Sequence, residues 1–237
     1  PSLRPLLGIY RRLRGIARGL GLLRPAPLAR ADELLPTGVE APLQPGHYRP
    51  HQPPQGHVAL VTGCLGRQLE PRTQQAALDL LLRLGFEVSV PEQAHCCGAL
   101  HRHDGFADAA DGRLEASARL FDRAEYDAVL TLASACGGEL QGSPALGPRI
   151  REITRFLADL NWPDELPLQP LRQRVLIHVP CTQRNLLGDP NAAFDLLISL
   201  HGTRTAPWNR PKDTSEPPIR TTAPQSRPAH SARTNPP

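Results

Sequence analysis

The residues best suited to chemistry are five cysteines: Cys64, the adjacent pair in His95-Cys96-Cys97-Gly98, Cys136 and Cys181. Thirty-one residues separate Cys64 from Cys96, and 38 separate Cys97 from Cys136. Adjacent cysteines bond poorly to each other, because the small ring that would close between them is strained. They can instead offer two thiolates to one metal centre. Soft sulfur suits iron, and a four-iron cluster needs thiolates held within a few ångströms of one another. Cys64, Cys96, Cys97 and Cys136 are the candidate metal ligands. Gly98, Gly137 and Gly138 lack side chains, so backbone could approach a cluster and donate N–H bonds to it. Two other readings stay open. Buried cysteines can be inert small hydrophobes. Zinc could take a mixed set with His95, His101 and His103, although the Cys-x2-Cys spacing usual in structural zinc sites is absent. His178, two residues before Pro180-Cys181, is either a structural histidine or a group that supports a nearby centre.

Each cysteine group follows a predicted strand. His57 to Val61 is a short apolar run ending at Gly63-Cys64. Glu87 to Val90 precedes Cys96, Ala128 to Leu132 precedes Cys136, and Val175 to Val179 precedes Cys181. Helices are expected between them: Gln74 to Leu84 with Ala77, Leu80, Leu81 and Leu84 on one face and Gly85 as its stop; Leu114 to Ala124; and a helix carrying Ile150, Ile153, Phe156, Leu157 and Leu160. Asp189 is placed to cap a helix starting at Pro190. Alternating strands and helices predict an α/β fold of parallel βαβ units, with the cysteine-bearing loops at the strand C-terminal ends. In such a sheet ligands bind beyond the carboxyl ends of the strands, so separate loops could deliver their sulfurs to one crevice.

Composition narrows the class. Residues 1–31 carry seven Arg and no acid, and 201–237 carry five Arg and one Lys against Asp213 and Glu216. The stretch between is acidic, with a net charge of −7. With aromatics at 4% and no clustered basic face in the body, nucleic-acid binding is not expected. An odd number of clustered cysteines argues for a reducing compartment, hence a cytoplasmic protein. No apolar run is long enough to span a membrane. Residues 3–23 mix Leu, Ile and Arg at helical spacing, either as a linking helix packed on a neighbouring domain or as a targeting or membrane-surface helix.

The expected organisation is a basic helical segment and Pro-rich linker at 1–56, a first cysteine module at 57–173, the start of a truncated second module at 174–200, and a disordered or frameshifted tail at 201–237. HVALVTGCLGRQ at 57–68 and RVLIHVPCTQRN at 174–185 share a strand, a turn residue, a cysteine and a basic residue, which marks a weak internal repeat. The tail holds eight Pro among many Thr, Ser and Arg and cannot bury enough surface to fold. The absence of methionine, even at position 1, reads as a fragment of a longer protein.

At Cys64, Cys96-Cys97-Gly98 and Cys136 the sequence resembles the cysteine-rich (CCG) domain family, and His178-Val179-Pro180-Cys181 resembles the start of that family's second copy. The family occurs in the iron–sulfur subunit of glycolate oxidase, which this chain resembles most, in heterodisulfide reductase, and in lactate-utilisation iron–sulfur proteins. The resemblance implies an iron–sulfur cluster of the 4Fe-4S kind, with Cys64, Cys96, Cys97, Cys136 and Cys181 as cofactor-binding residues. It implies electron transfer within an oxidoreductase complex rather than catalysis by this chain alone. A flavin-containing dehydrogenase subunit would be the partner, and a quinone or membrane acceptor would take the electrons at the inner membrane face. Alternatives are a thiol–disulfide (heterodisulfide-type) reductase subunit and a metal-free non-catalytic remnant. Glu139 stands where the family pattern has its last cysteine.

Overall fold

The computed structural model describes residues 4–23, 25–34, 41–93, 95–163, 166 and 175–201. The elements run α1 (Arg4–Gly19), α2 (Ala26–Leu34), β1 (Gly46–Tyr48), β2 (Gly56–Val61), α3 (Gly66–Leu69), α4 (Pro71–Arg83), β3 (Phe86–Val90), α5 (Ala99–His103), α6 (Ala107–Phe121), β4 (Ala128–Thr131), α7 (Ser134–Gln141), β5 (Ile150–Glu152), α8 (Ile153–Ala158), α9 (Cys181–Asn185) and α10 (Ala192–His201).

The strands form a five-stranded sheet of order β1-β3-β2-β4-β5. β2 pairs in parallel with β3 and with β4, and β4 in parallel with β5; only β1 is antiparallel, on β3. This is the expected α/β sheet, mostly parallel. Alternation along β2 explains why both faces are covered. Val58 and Leu60 join Leu78, Leu81, Val88 and Leu130 in a core under α4 and α8. Ala59 and Val61 join Phe121, Val129, Leu140 and Leu146 in a second core under α6 and α7. A strand buried on both faces must read as an uninterrupted apolar run, as His57-Val58-Ala59-Leu60-Val61 nearly does.

α4 starts on Pro71, whose missing N–H is harmless at a helix start, and ends before Gly85 at φ +84°. The chain then enters β3 with β2 already beside it. The path β2–α4–β3 builds one flank of β2, and β3–α6–β4 crosses to the other. β2 therefore sits centrally, and the loops leaving β2, β3 and β4 share one end of the sheet.

Several elements differ from expectation. The stretch 24–56 holds α2 and β1, although it looks like a plain linker. α6 begins at Ala107, well before Leu114, because Ala107, Ala109 and Ala110 favour helix without a visible apolar stripe. Ile150 lies in β5 and not in the helix with Ile153 and Phe156; Glu152 ends the strand and caps α8 by accepting the N–H groups of Thr154 and Arg155. α10 starts at Ala192, not at Pro190, and the Asp189 carboxylate takes backbone N–H bonds from Asn191 and Ala192. Residues 175–180 form no strand. Leu176 is 81% exposed, and no further strand adds beyond β5 among the described residues, so this run pairs with no strand. The tail from 202 onward lies outside the described residues.

α1 and α2 are tied by charge. Asp32 of α2 is buried and receives Tyr10, Arg14 and Arg18 of α1. The hydroxyl of Tyr10 and these guanidiniums hold its carboxyl down at about 2. No helix among the described residues is long and apolar enough to cross a membrane.

Candidate metal centre

Three loops at the carboxyl ends of adjacent strands carry the candidate sulfurs. β2 ends at Val61 and leads through Thr62 and Gly63 to Cys64. Gly63 turns the chain with φ +64°. Gln74 Nε2 donates to the Thr62 carbonyl at 2.7 Å, fixing this turn to α4. β3 leads to His95-Cys96-Cys97. Ser117 Oγ donates to the Cys96 carbonyl at 3.0 Å, tying this loop to α6. β4 leads to α7, which carries Cys136.

The loops meet in two sulfur contacts. Cys64 Sγ lies 3.6 Å from Cys96 Sγ, and Cys97 Sγ lies 3.1 Å from Cys136 Sγ. Both separations exceed a disulfide bond of about 2.05 Å, so all are free thiols. Cys64 is exposed, Cys96 and Cys136 are half-buried, and Cys97 is buried, which grades the cluster from solvent inward. The structure thus sets the four predicted sulfurs in two pairs, Cys64 with Cys96 and Cys97 with Cys136. Cys181 is exposed at the first position of α9. Its neighbour Thr182 meets Ser134 Oγ at 2.5 Å, two residues before Cys136.

The thiols constrain one another's protons. The Cys97 thiol comes down to about 7, because Cys136 donates to its thiolate and the backbone N–H groups of Ala99 and Cys97 assist. The same contact, with burial, pushes the Cys136 thiol up. Burial, with the neighbouring Cys96 sulfur, raises Cys64. One proton leaves the Cys97–Cys136 pair easily and the second does not. Only a cation placed between the sulfurs would relieve the repulsion of all four thiolates.

His95 is buried and is not a loop-surface residue. Its Nε2 accepts the Gly63 N–H at 3.2 Å, and its ring packs edge-on against Phe121 with centroids 4.9 Å apart. Burial holds its pKa below the ordinary value, so the ring stays neutral and can accept. It clamps the Cys64 loop to the Cys96-Cys97 loop. His101 and His103 lie on α5, where His103 is exposed and pairs with Asp104. His178 lines a cavity of ≈ 190 Å³ with Leu132, Ser134, Glu152, Thr154 and Pro180.

The glycines work differently from the expectation. Gly98 adopts φ +95°, and a Cβ there would lie 2.7 Å from the Ala110 carbonyl oxygen of α6. A Cβ on Gly137 would meet Thr131 Oγ1 at 2.9 Å, and one on Gly138 would meet the Leu186 side chain at 2.8 Å. All three let protein segments pack closely behind the sulfurs. Sequence reasoning also missed the ion pair under the site. Glu139, one helical turn after Cys136, accepts from Arg102 Nε at 2.7 Å, and Arg102 also reaches Asp111 at 2.7 Å. Its carboxylate opposes ionisation of Cys97. The i+3 spacing of Glu139 from Cys136 was the signal available for it.

The donor set fits an iron–sulfur group. Two thiol pairs lie beyond the ends of adjacent strands, backbone N–H groups of Ala99 and Cys97 assist the Cys97 sulfur, and His95 ties two of the loops together. Residues 58–141, which contain all four sulfurs, match the family described as the cysteine-rich domain, CCG. These residues are thus similar to the CCG cysteine-rich domain. Over 221 residues the chain is 31% identical to a probable glycolate oxidase iron–sulfur subunit of Bacillus subtilis, covering 83% of this chain and 49% of that protein. It is 32% identical over 133 residues to one subunit of the fumarate reductase (CoM/CoB) of Methanothermobacter marburgensis, covering 55% of this chain and 26% of that one. A lactate utilization protein A of a Geobacillus species is 28% identical over 164 residues, covering 63% and 68% of the two chains. The chain thus spans half or less of the length of two of these three relatives. No solved structure matches significantly.

Proposed function

We propose that this chain is an iron–sulfur electron-transfer subunit of a complex that oxidises a 2-hydroxy acid, with glycolate the nearest candidate. The two sulfur pairs Cys64–Cys96 and Cys97–Cys136, beyond the carboxyl ends of three adjacent strands, carry this reading. The names of the relatives support it. A bound cluster, of the 4Fe-4S kind in this reading, supplies one-electron redox chemistry. The chain's own residues supply the rest. The four thiolates hold the metal, and Cys181 is a further candidate through its neighbour's contact with α7. The Ala99 and Cys97 N–H groups stabilise thiolate charge. The His95 clamp sets the distance between two loops, and Arg102 offsets the charge of Glu139. The exposed Cys64 side faces the partner. A flavin-containing dehydrogenase subunit is the proposed donor, and a quinone or other acceptor on the inner face of the membrane the proposed recipient.

The decisive test is iron and acid-labile sulfide per chain after anoxic purification, with the Cys96→Ser/Cys97→Ser double variant as control. Near-stoichiometric iron and sulfide, lost in the double variant, is the expected result. A folded wild-type protein with zinc or no metal would sink the reading.

The 3.1 Å contact between Cys97 and Cys136 favours one second reading, a thiol–disulfide reductase subunit. In it, two electrons and two protons convert a substrate disulfide to two thiols at this pair. Reduction of a mixed disulfide by the electron-loaded protein, abolished by Cys97→Ser, would separate this from simple electron transfer.

A further inference from the structure

At the other end of the sheet, three metal-ligating side chains come from three adjacent strands. His57 and Glu87 are both second residues of their strands, β2 and β3, and are direct partners in the parallel register. His47 of β1 lies opposite Ser89, two residues on from Glu87. Side chains two apart share a face, so all four point the same way. The candidate ligand atoms of His47, His57 and Glu87 all lie within 4.8 Å of one another. His47 Nε2 is 3.3 Å from Glu87 Oε2. Ligands at zinc–nitrogen and zinc–oxygen distances of about 2.0–2.1 Å in tetrahedral array stand about 3.3–3.4 Å apart, so that pair already has the required spacing.

We propose that His47, His57 and Glu87 form a second metal site, for a divalent ion of the zinc type, separate from the sulfur centre. Two imidazoles and one carboxylate, with a position left open to water, are a donor set that zinc accepts. Ser89 orients the ligands. Its Oγ lies 3.1 Å from His47 Nδ1; accepting that N–H leaves the lone pair of Nε2 free for the ion. The same Oγ lies 2.9 Å from His57 Nε2, so one hydroxyl positions both rings. The His57 ring is braced edge-on by Tyr126, with centroids 5.0 Å apart, and its backbone N–H donates to Asp127 at 2.8 Å. Asp127 and Glu125 add negative charge around His57. Arg49 is a competing cation, 3.5 Å from the other Glu87 oxygen; its side chain is 75% exposed, so it can swing into solvent. The ion would pin β1, the short antiparallel edge, to the two parallel strands beside it.

The test is Co2+ titration of the full chain as purified, read optically and by thermal melting. Wild type should bind one more Co2+ than His47→Gln or His57→Gln. The difference spectrum should hold visible d–d bands without the near-ultraviolet charge-transfer band of cobalt thiolate, which marks ions bound at the cysteines. Affinity should fall by more than about 100-fold in His47→Gln and by about 10-fold in Ser89→Ala. Added Zn2+ should raise the melting temperature of wild type and not of His47→Gln. His47 is partly exposed, so its variant should melt like wild type without metal and is the deciding one. Equal Co2+ binding by wild type and His47→Gln, or a difference spectrum dominated by thiolate charge transfer, would overturn the proposal. Iron content at the cysteines does not enter either outcome, so this site and the electron-transfer reading fail independently.

Discussion

Cys96 and Cys97 are neighbours in sequence, yet they face different partners. Cys96 meets Cys64, and Cys97 meets Cys136. One adjacent pair therefore joins two loops, and the side chains of the loop are fixed by groups that touch no sulfur themselves. Gly98 is the sharpest case. Its φ of +95° is costly for any L side chain, and a Cβ would press on the Ala110 carbonyl at 2.7 Å. Gly98→Ala should destabilise the protein by about 2 kcal/mol or more and lower its iron content, measured by denaturant unfolding and metal analysis. His95→Ala leaves the buried Gly63 N–H without its acceptor and should cost about 1–3 kcal/mol. His95→Gln, which keeps an acceptor, should recover part of that loss in the same unfolding experiment.

The central strand is the element on which the rest is hung. Leu60 of β2 and Leu81 of α4 are both fully buried in one core. Leu60→Ala should cost about 2–5 kcal/mol in unfolding free energy, because the sheet cannot collapse around the lost volume. Arg155 of α8 does a similar organising task with charge. It holds Asp189 through contacts of 2.5 and 2.8 Å and Asp195 of α10 at 2.7 Å. The guanidinium holds the Asp189 carboxyl below the usual range. A carboxyl whose folded value is depressed contributes its stability above the unfolded value, about 3.9, and loses it as pH falls through the folded value. Asp189→Asn should therefore lower the melting temperature at neutral pH, and the gap should close progressively below about pH 4. A gap that persists at low pH would show that Asp189 acts through capping α10 and not through its charge.

Across the whole molecule, chemistry-bearing residues collect at two opposite ends of one sheet. Sulfurs sit where β2, β3 and β4 end; imidazoles and a carboxylate sit where β2 and β3 begin. Exposed apolar residues on α1 and just after it, namely Ile9, Leu13, Ile16 and Leu20, recur at helical spacing. Those residues fit the expectation of a helix with an apolar face. Because the two sites are separated by the length of the strands, Cys96→Ser/Cys97→Ser should leave the Co2+ bound at His47, His57 and Glu87 unchanged in the same titration.

The strands β2, β3 and β4, the helix α4 and the placing of cysteines after those strands were legible in the sequence. Buried parallel strands need unbroken apolar runs, and a cysteine just after each run can only lie at the carboxyl end. The CCG pattern itself is local in sequence, so its residues announce it. The tertiary structure alone decided that Ile150 is strand and Ile153 helix, since three residues carry no period and pairing with β4 makes the difference. It decided that Val175 to Val179 is no strand: the run pairs with no strand, and Leu176 is 81% exposed. It decided that Gly98, Gly137 and Gly138 make room for Ala110, Thr131 and Leu186. It also assembled His47, His57, Glu87 and Ser89, which come from three strands up to 42 positions apart. Registers between strands bring such residues together, and no spacing within one segment encodes a register.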